Sequence, residues 1–304
     1  MSSSGAGPAI ETTALTKTYA GVDALSDLSL TVEQGALYGF LGPNGAGKTT
    51  TIRLLMGFIK PSRGSSRMFG CDTWSDGVRA RRHVGYLVQS DSLFPELTGA
   101  DQLAFAATLS GSDAPLQTQL LDLLELSQAA LGRKLKTYSK GMRQKLALIA
   151  AAQHDPELLI LDEPTDGLDP LIQRAFESHL LERHAAGRTI FMSSHDLGEV
   201  DRLCERVAIV RGGRLVQEET IQELRAQHRR RANVVFAQPL SDAIAIPGAE
   251  VLERDGRSLT LLVDLDPNPL LAFLARQQVE TVTIAPPSLN EIFAGYYETE
   301  SAAR

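Results

Sequence analysis

Cysteine is nearly absent: Cys71 and Cys204 are the two in 304 residues, and neither has a second Cys or a His at metal-ligand spacing. This excludes a disulfide framework or a zinc site as the organising chemistry. Long apolar runs are missing too. No stretch approaches the roughly 18 unbroken apolar residues of a membrane span, and the opening MSSSGAGPAIETT lacks the basic and apolar regions of a secretory signal. The expectation is a chain that stays in the cytoplasm. Positive charge is not in excess either. The net charge is -7, and residues 232–304 hold ten acids against four bases while the rest is close to balanced. A neutral body with an acidic tail offers no basic footprint for nucleic acid. The one basic cluster, Arg229 to Arg231, reads as a solvated helix end.

What is present is enough apolar material, 43% of residues, for a full α/β core and a small appended domain. ALYGFL (36–41) is a short apolar run entering a glycine-rich loop, and the segment from Thr49 to Phe58 follows with Ile52, Leu55 and Met56 at helical spacing. LLIL (158–161) ends in Asp162-Glu163-Pro164, and TIFM (189–192) ends in Ser193-Ser194-His195. Both read as buried parallel strands with polar residues at their carboxyl ends, where open α/β sheets hold ligands. Between ALYGFL and LLIL, from about residue 92 to 155, alanine- and leucine-rich stretches predict a helical insert. Residues 232–304 alternate strand and helix patterns and predict a small α+β domain, leaving 10–231 as the main domain.

The loop Gly42-Pro43-Asn44-Gly45-Ala46-Gly47-Lys48-Thr49 has the spacing G-x-x-x-x-G-K-[ST], preceded by a strand and followed by a helix. Glycines let the backbone bend and bring N–H groups to phosphate oxygens, and the helix start adds its positive end. Lys48 supplies a mobile charge for the β- and γ-phosphates, the Thr49 hydroxyl is placed to ligate Mg2+, and Thr50 is in reach of the α-phosphate. Asp162 at its strand end would share that crevice and hold the magnesium shell, and Glu163 is the candidate general base. The alternative for both acids is a cap on the turn at Pro164.

Tyr138-Ser139-Lys140-Gly141-Met142-Arg143-Gln144 resembles the signature motif of ATP-binding cassette (ABC) ATPases. Gln89 in GYLVQ is similar to that family's Q-loop, TDGLD (165–169) to its D-loop, His195 to its switch histidine, and Tyr19 to the aromatic that stacks on adenine. The resemblance spans residues 10 to about 230. It departs from the usual signature at Tyr138, Lys140 and Met142, which points to a subfamily.

The resemblance implies an α/β P-loop NTPase cassette with an N-terminal β subdomain, a helical signature subdomain and a small C-terminal α+β domain. It also implies a head-to-tail homodimer, with each ATP between Lys48 of one copy and Ser139 and Gly141 of the other, on a helix beginning at Gly141. Gln89 would touch Mg2+ and the attacking water, His195 the γ-phosphate, and Asp169 would link the two sites. The forms YSKGMRQKL, SSHDLGEVDRL and PPSLNEIF are similar to ATPase subunits of drug, lipid or polysaccharide exporters, whose membrane half is a separate permease. Such a chain would sit on the cytoplasmic face of the membrane. Ser92 to Thr98 is the expected docking segment, with Leu93 and Phe94 open to a core reading as well. A soluble or regulatory cassette ATPase and an importer ATPase remain the alternatives.

Overall fold

The computed structural model describes residues 7–88, 90–239 and 245–298. Contacts divide the chain into two units, Met1–Glu218 and Glu219–Arg304.

The first unit begins with a hairpin, β1 (Ile10–Tyr19) and β2 (Val22–Val32), and then β3 (Leu37–Leu41) leads into α1 (Lys48–Leu55). Next come β4 (Arg63–Met68), β5 (Cys71–Asp72), the short α2 (Gly77–Ala80) and β6 (Val84–Tyr86). Four helices follow: α3 (Gly99–Ser110), α4 (Gln117–Leu123), α5 (Gln128–Leu131) and α6 (Lys140–Ala152). The unit returns to sheet with β7 (Leu158–Asp162), α7 (Pro170–Ala185), β8 (Thr189–Ser194), α8 (Leu197–Leu203), β9 (Arg206–Arg211) and β10 (Arg214–Thr220).

These strands form an antiparallel sheet, β2-β1-β4-β5, and a six-stranded sheet, β10-β9-β3-β8-β7-β6. In the larger sheet the pairs β9-β3, β3-β8, β8-β7 and β7-β6 are parallel. All residues of β3 and β8 are buried, which is why their sequences are near-continuous apolar runs rather than alternating ones. Tyr38 and Phe40 of β3 pack on Phe191 of β8, with centroids 5.8 and 5.4 Å apart, in a core that also takes Leu25 and Leu28 from β2 and Ile52 from α1. The carboxyl ends of β3, β7 and β8 are therefore held in fixed register, Leu41 beside Ser194 and Asp162 beside Ser193.

The helical insert lies between β6 and β7, and each helix that matters to the site has a local cause. α3 starts on a capping box between Thr98 and Asp101 and stops at Gly111, which takes a left-handed φ of 66°. α6 is capped by the Ser139 side chain and begins at Lys140, one residue earlier than the Gly141 start expected. α7 is capped by Asp169 with Pro170 in its first turn, where a missing N–H costs nothing.

The second unit contains α9 (Ile221–Ala226), β11 (Arg230–Phe236), β12 (Ala249–Asp255), β13 (Ser258–Val263), α10 (Asn268–Leu274), β14 (Val279–Ala285) and α11 (Leu289–Glu298). Its strands form an antiparallel sheet, β12-β13-β11-β14, over a core of Val234, Phe236, Leu259, Leu261, Leu270 and Leu274. Arg230 and Arg231 open β11, so the expected helix end is corrected: α9 stops at Ala226. Arg229 bonds Glu250 at 3.1 Å and Arg231 bonds Glu291 at 3.0 Å, so acids of the tail neutralise the basic cluster that precedes it.

Candidate active site

Past β3 the chain turns sharply. Gly42 leaves no room for a side chain, because a Cβ there would stand 2.3 Å from the Val210 carbonyl. Gly45 and Gly47 have φ of 79° and 108°, in the region that favours glycine. Ala46 N–H closes the turn on Pro43 O at 3.1 Å, and Gly213 N–H anchors it by donating to Ala46 O at 3.0 Å. Because α1 starts at Lys48, its free N–H groups and positive end face the turn. Pro43, Asn44, Gly45 and the residues from Gly47 to Thr50, with Ala24 and Glu163, line a cleft of about 220 Å3.

Lys48 is 6% exposed, and its ammonium lies 2.6 Å from Gly42 O, 3.4 Å from Pro43 O and 3.2 Å from Glu163 Oε1. The other Glu163 oxygen meets His195 Nδ1 at 2.6 Å. One carboxylate thus bridges the loop lysine and the histidine that follows β8. Glu163 has a φ of 50°, uncommon for a residue with a side chain, and its N–H is held by Ser193 O at 3.2 Å.

Asp162 has both oxygens engaged, Oδ2 by the Thr49 hydroxyl at 2.9 Å and Oδ1 by the Ser193 hydroxyl at 2.5 Å. Thr49 and Asp162 are 113 residues apart in sequence and meet because α1 begins and β7 ends at the same crevice. A hydroxyl and a carboxylate side by side are hard oxygen donors that suit Mg2+, which usually takes one or two protein oxygens and completes its shell with phosphate and water. Among the described residues there is no cluster of three or more His, Cys, Asp or Glu that could hold a metal ion.

The other expected residues lie elsewhere. Neither Tyr19 nor Ser139, Gly141 or Asp169 lines the cleft. Ser139 caps α6 by accepting from Met142 N–H at 3.2 Å, and a Cβ on Gly141 would come to 3.0 Å from Gly167 O. Lys140 and Asp166 pair at 2.8 Å, and Gln144 Nε2 donates to Pro164 O at 2.8 Å, so the signature helix packs on the turn after β7. Asp169 caps α7 by accepting from Ile172 N–H at 3.1 Å. Tyr19 is 46% exposed and Lys17 Nζ sits 5.0 Å from its ring centroid. Gln89 lies outside the described residues.

Two polar groups beside the site were not singled out from sequence. Ser193 and Ser194 were legible only as part of the run before His195, and what they touch depends on the register of β7 with β8. Ser194 donates to Glu199 Oε2 at 2.7 Å. Glu199 is 2% exposed, and burial raises its pKa above the ordinary range, with the Ser194 hydrogen bond opposing that shift.

Residues 25–166 match the family model described as ABC transporter, and residues 220–297 match the C-terminal domain of ATP-binding proteins like DrrA1-3. The chain is 36% identical to the daunorubicin/doxorubicin resistance ATP-binding protein DrrA of Streptomyces peucetius, over 94% of this chain and 91% of that one. The chain belongs to the ABC transporter ATP-binding family. This ABC subunit is also 32% identical to the Nod factor export ATP-binding protein I of Ralstonia nicotianae, over 95% of this chain and 94% of that one. A solved structure of an ATP-binding subunit of an ABC transporter superposes with a TM-score of 0.67 at 32% identity, covering 72% of this chain and 92% of that one. As an ABC ATPase, the chain binds and hydrolyses ATP, and the cleft over Gly42 to Thr50 is the candidate site.

Proposed function

We propose that this subunit powers export through a separate membrane permease, by hydrolysing ATP at sites shared between two copies of the chain. The observation that carries the reading is Glu163, which touches Lys48 on one side and His195 on the other at the mouth of the phosphate loop. The likeness to an export ATP-binding protein along nearly the whole chain supports the direction of transport.

Lys48 leaves Glu163 for the β- and γ-phosphates when ATP enters, which frees the Glu163 carboxylate to take a proton from the attacking water. His195, bonded to Glu163 through Nδ1, orients that carboxylate and then faces the γ-phosphate. Mg2+, held by Thr49 and Asp162 and touched by Gln89, would offset phosphate charge. Tyr19 takes the adenine. Ser139 and Gly141, which do not line this chain's cleft, supply the far wall of the site on a second copy, where the N-terminus of α6 offers N–H groups to the γ-phosphate. Asp169 links the two sites.

No helix among the described residues is long and apolar enough to cross a membrane. The docking surface for the permease includes Phe94. Leu93 is 7% exposed and belongs to the core, whereas Phe94 is 51% exposed and meets Phe105 edge-on at 5.6 Å, with Leu109 on the same helix 72% exposed. The test is phosphate release by the purified chain, with pull-down from membranes by the wild type and by Phe94→Ala. Retention of ATP hydrolysis with loss of a multi-span partner is expected. A Phe94→Ala chain that still captures the partner would remove this surface, and a wild type releasing no phosphate would remove the catalytic assignment.

A further inference from the structure

Ser193, the next-to-last residue of β8, has no exposed surface, and the roles above leave it out. It touches both acidic residues of the site. Parallel register puts it beside Asp162, and its hydroxyl lies 2.5 Å from Asp162 Oδ1. The N–H of Glu163 points at the same residue, 3.2 Å from Ser193 O and 3.3 Å from Ser193 Oγ. A hydroxyl has one proton to give and lone pairs to receive. Ser193 can therefore donate to Asp162 and accept from Glu163 at once.

The consequence concerns rotation. A carboxylate torsion is soft, so a carboxylate held at one oxygen can swing about its Cβ–Cγ bond, and one held at both cannot. Asp162 is held at both, by Thr49 and by Ser193. The Thr49 hydroxyl is also the group suited to ligate the metal, which it can do through a lone pair while its one proton still goes to Asp162. Ser193 supplies the second hold, without which Asp162 is held at one oxygen and can turn. Its second contact bears on Glu163, whose left-handed backbone has to be held by its neighbours.

We propose that Ser193 is a positioning residue that fixes the Asp162 carboxylate toward the metal and sets the backbone of Glu163 beside it. The proposal rests on the ATPase reading of this site and adds to it the group that keeps the two acids in place. It needs a hydroxyl rather than a side chain of a given size.

The experiment compares full-length wild type with Ser193→Ala and Ser193→Thr. Each is saturated with a non-hydrolysable ATP analogue and titrated with Mn2+ under electron paramagnetic resonance, and kcat and KM for ATP are measured with Mg2+. Removing a group that orients a metal ligand costs about 10- to 100-fold in metal affinity. Ser193→Ala should therefore weaken Mn2+ binding by about tenfold or more and lower kcat, with KM for ATP within about twofold of wild type. Ser193→Thr should restore both. Should threonine overfill the buried position, Ser193→Cys, which is smaller than threonine and has only a weak donor, should fall between wild type and alanine. A lower melting temperature in Ser193→Ala with unchanged Mn2+ affinity would mark a packing role and overturn the proposal. So would an alanine variant whose Mn2+ affinity and kcat both match wild type. If wild type itself released no phosphate, the ATPase reading would fail first, and the two failures are told apart by the wild-type control.

Discussion

Replacing Glu163 by Gln exchanges one carboxylate oxygen for an amide nitrogen and separates three roles of that side chain. Glu163 accepts from Lys48 at 3.2 Å and from His195 at 2.6 Å, with 27% of its side chain exposed. The amide keeps the volume and an acceptor oxygen but cannot take a proton. A positioned general base contributes about 10²- to 10⁴-fold, so kcat for phosphate release should drop by at least about a hundredfold. Affinity should move the other way. Lys48 must leave Glu163 before it can hold a phosphate, and a partly exposed ion pair is worth up to about 1 kcal/mol. Without that competitor, ATP should bind up to about fivefold tighter. Lys48 keeps its bonds to Gly42 O and Pro43 O, so the fold should not suffer. Single-turnover phosphate release gives the rate, and equilibrium titration with a fluorescent ATP analogue gives the affinity. A Glu163→Gln chain that hydrolyses within a factor of about three of wild type would refute the base assignment. An affinity more than about tenfold weaker would refute the competition between Glu163 and phosphate for Lys48.

Two further outcomes follow from the same geometry. Gly47→Ala forces a side chain into φ 108° with its Cβ 2.9 Å from Ala24 O. It should cost about 1–2 kcal/mol of stability and abolish nucleotide binding, checked by denaturant midpoint and titration. Glu199→Gln tests the buried acid behind Ser194. Burial raises the folded-state pKa, so the folded chain holds a proton that the unfolded chain gives up once pH passes the ordinary value of 4.5. Wild-type stability should then fall as pH rises from that value through the raised folded-state value, whereas the neutral amide should not feel this loss. In melts from about pH 4 to 8, the melting temperature of Glu199→Gln relative to wild type should climb with pH. A constant difference would mean Glu199 is not destabilised by burial.

The loop from Gly42 to Thr49 was legible because its spacing, the strand before it and the helix after it are all local. The same holds for Asp162, at the end of an apolar run. Contacts across the sheet were not. That Thr49 meets Asp162, or that Glu163 is shared by Lys48 and His195, follows from the order β3-β8-β7, which no local pattern encodes. Ser193 is illegible locally for the same reason, since a serine near a histidine reads as loop polarity until strand register sets it against Asp162. Leu93 and Phe94 show a finer limit: adjacent apolar residues went to opposite environments, core and surface. The basic run from Arg229 to Arg231 looked like a helix end because its acidic partners, Glu250 and Glu291, come from distant strand and helix positions.

The claim that each ATP site is built from two copies is tested most directly by the mass of the Glu163→Gln chain in solution with and without ATP. One chain weighs 32.9 kDa. The account predicts that ATP doubles the mass measured by light scattering after gel filtration. Adding Ser139→Arg, on the surface assigned to the opposite copy, should return it to a single chain that still binds ATP. A chain that binds ATP and stays single, or a dimer that Ser139→Arg leaves intact, would contradict it.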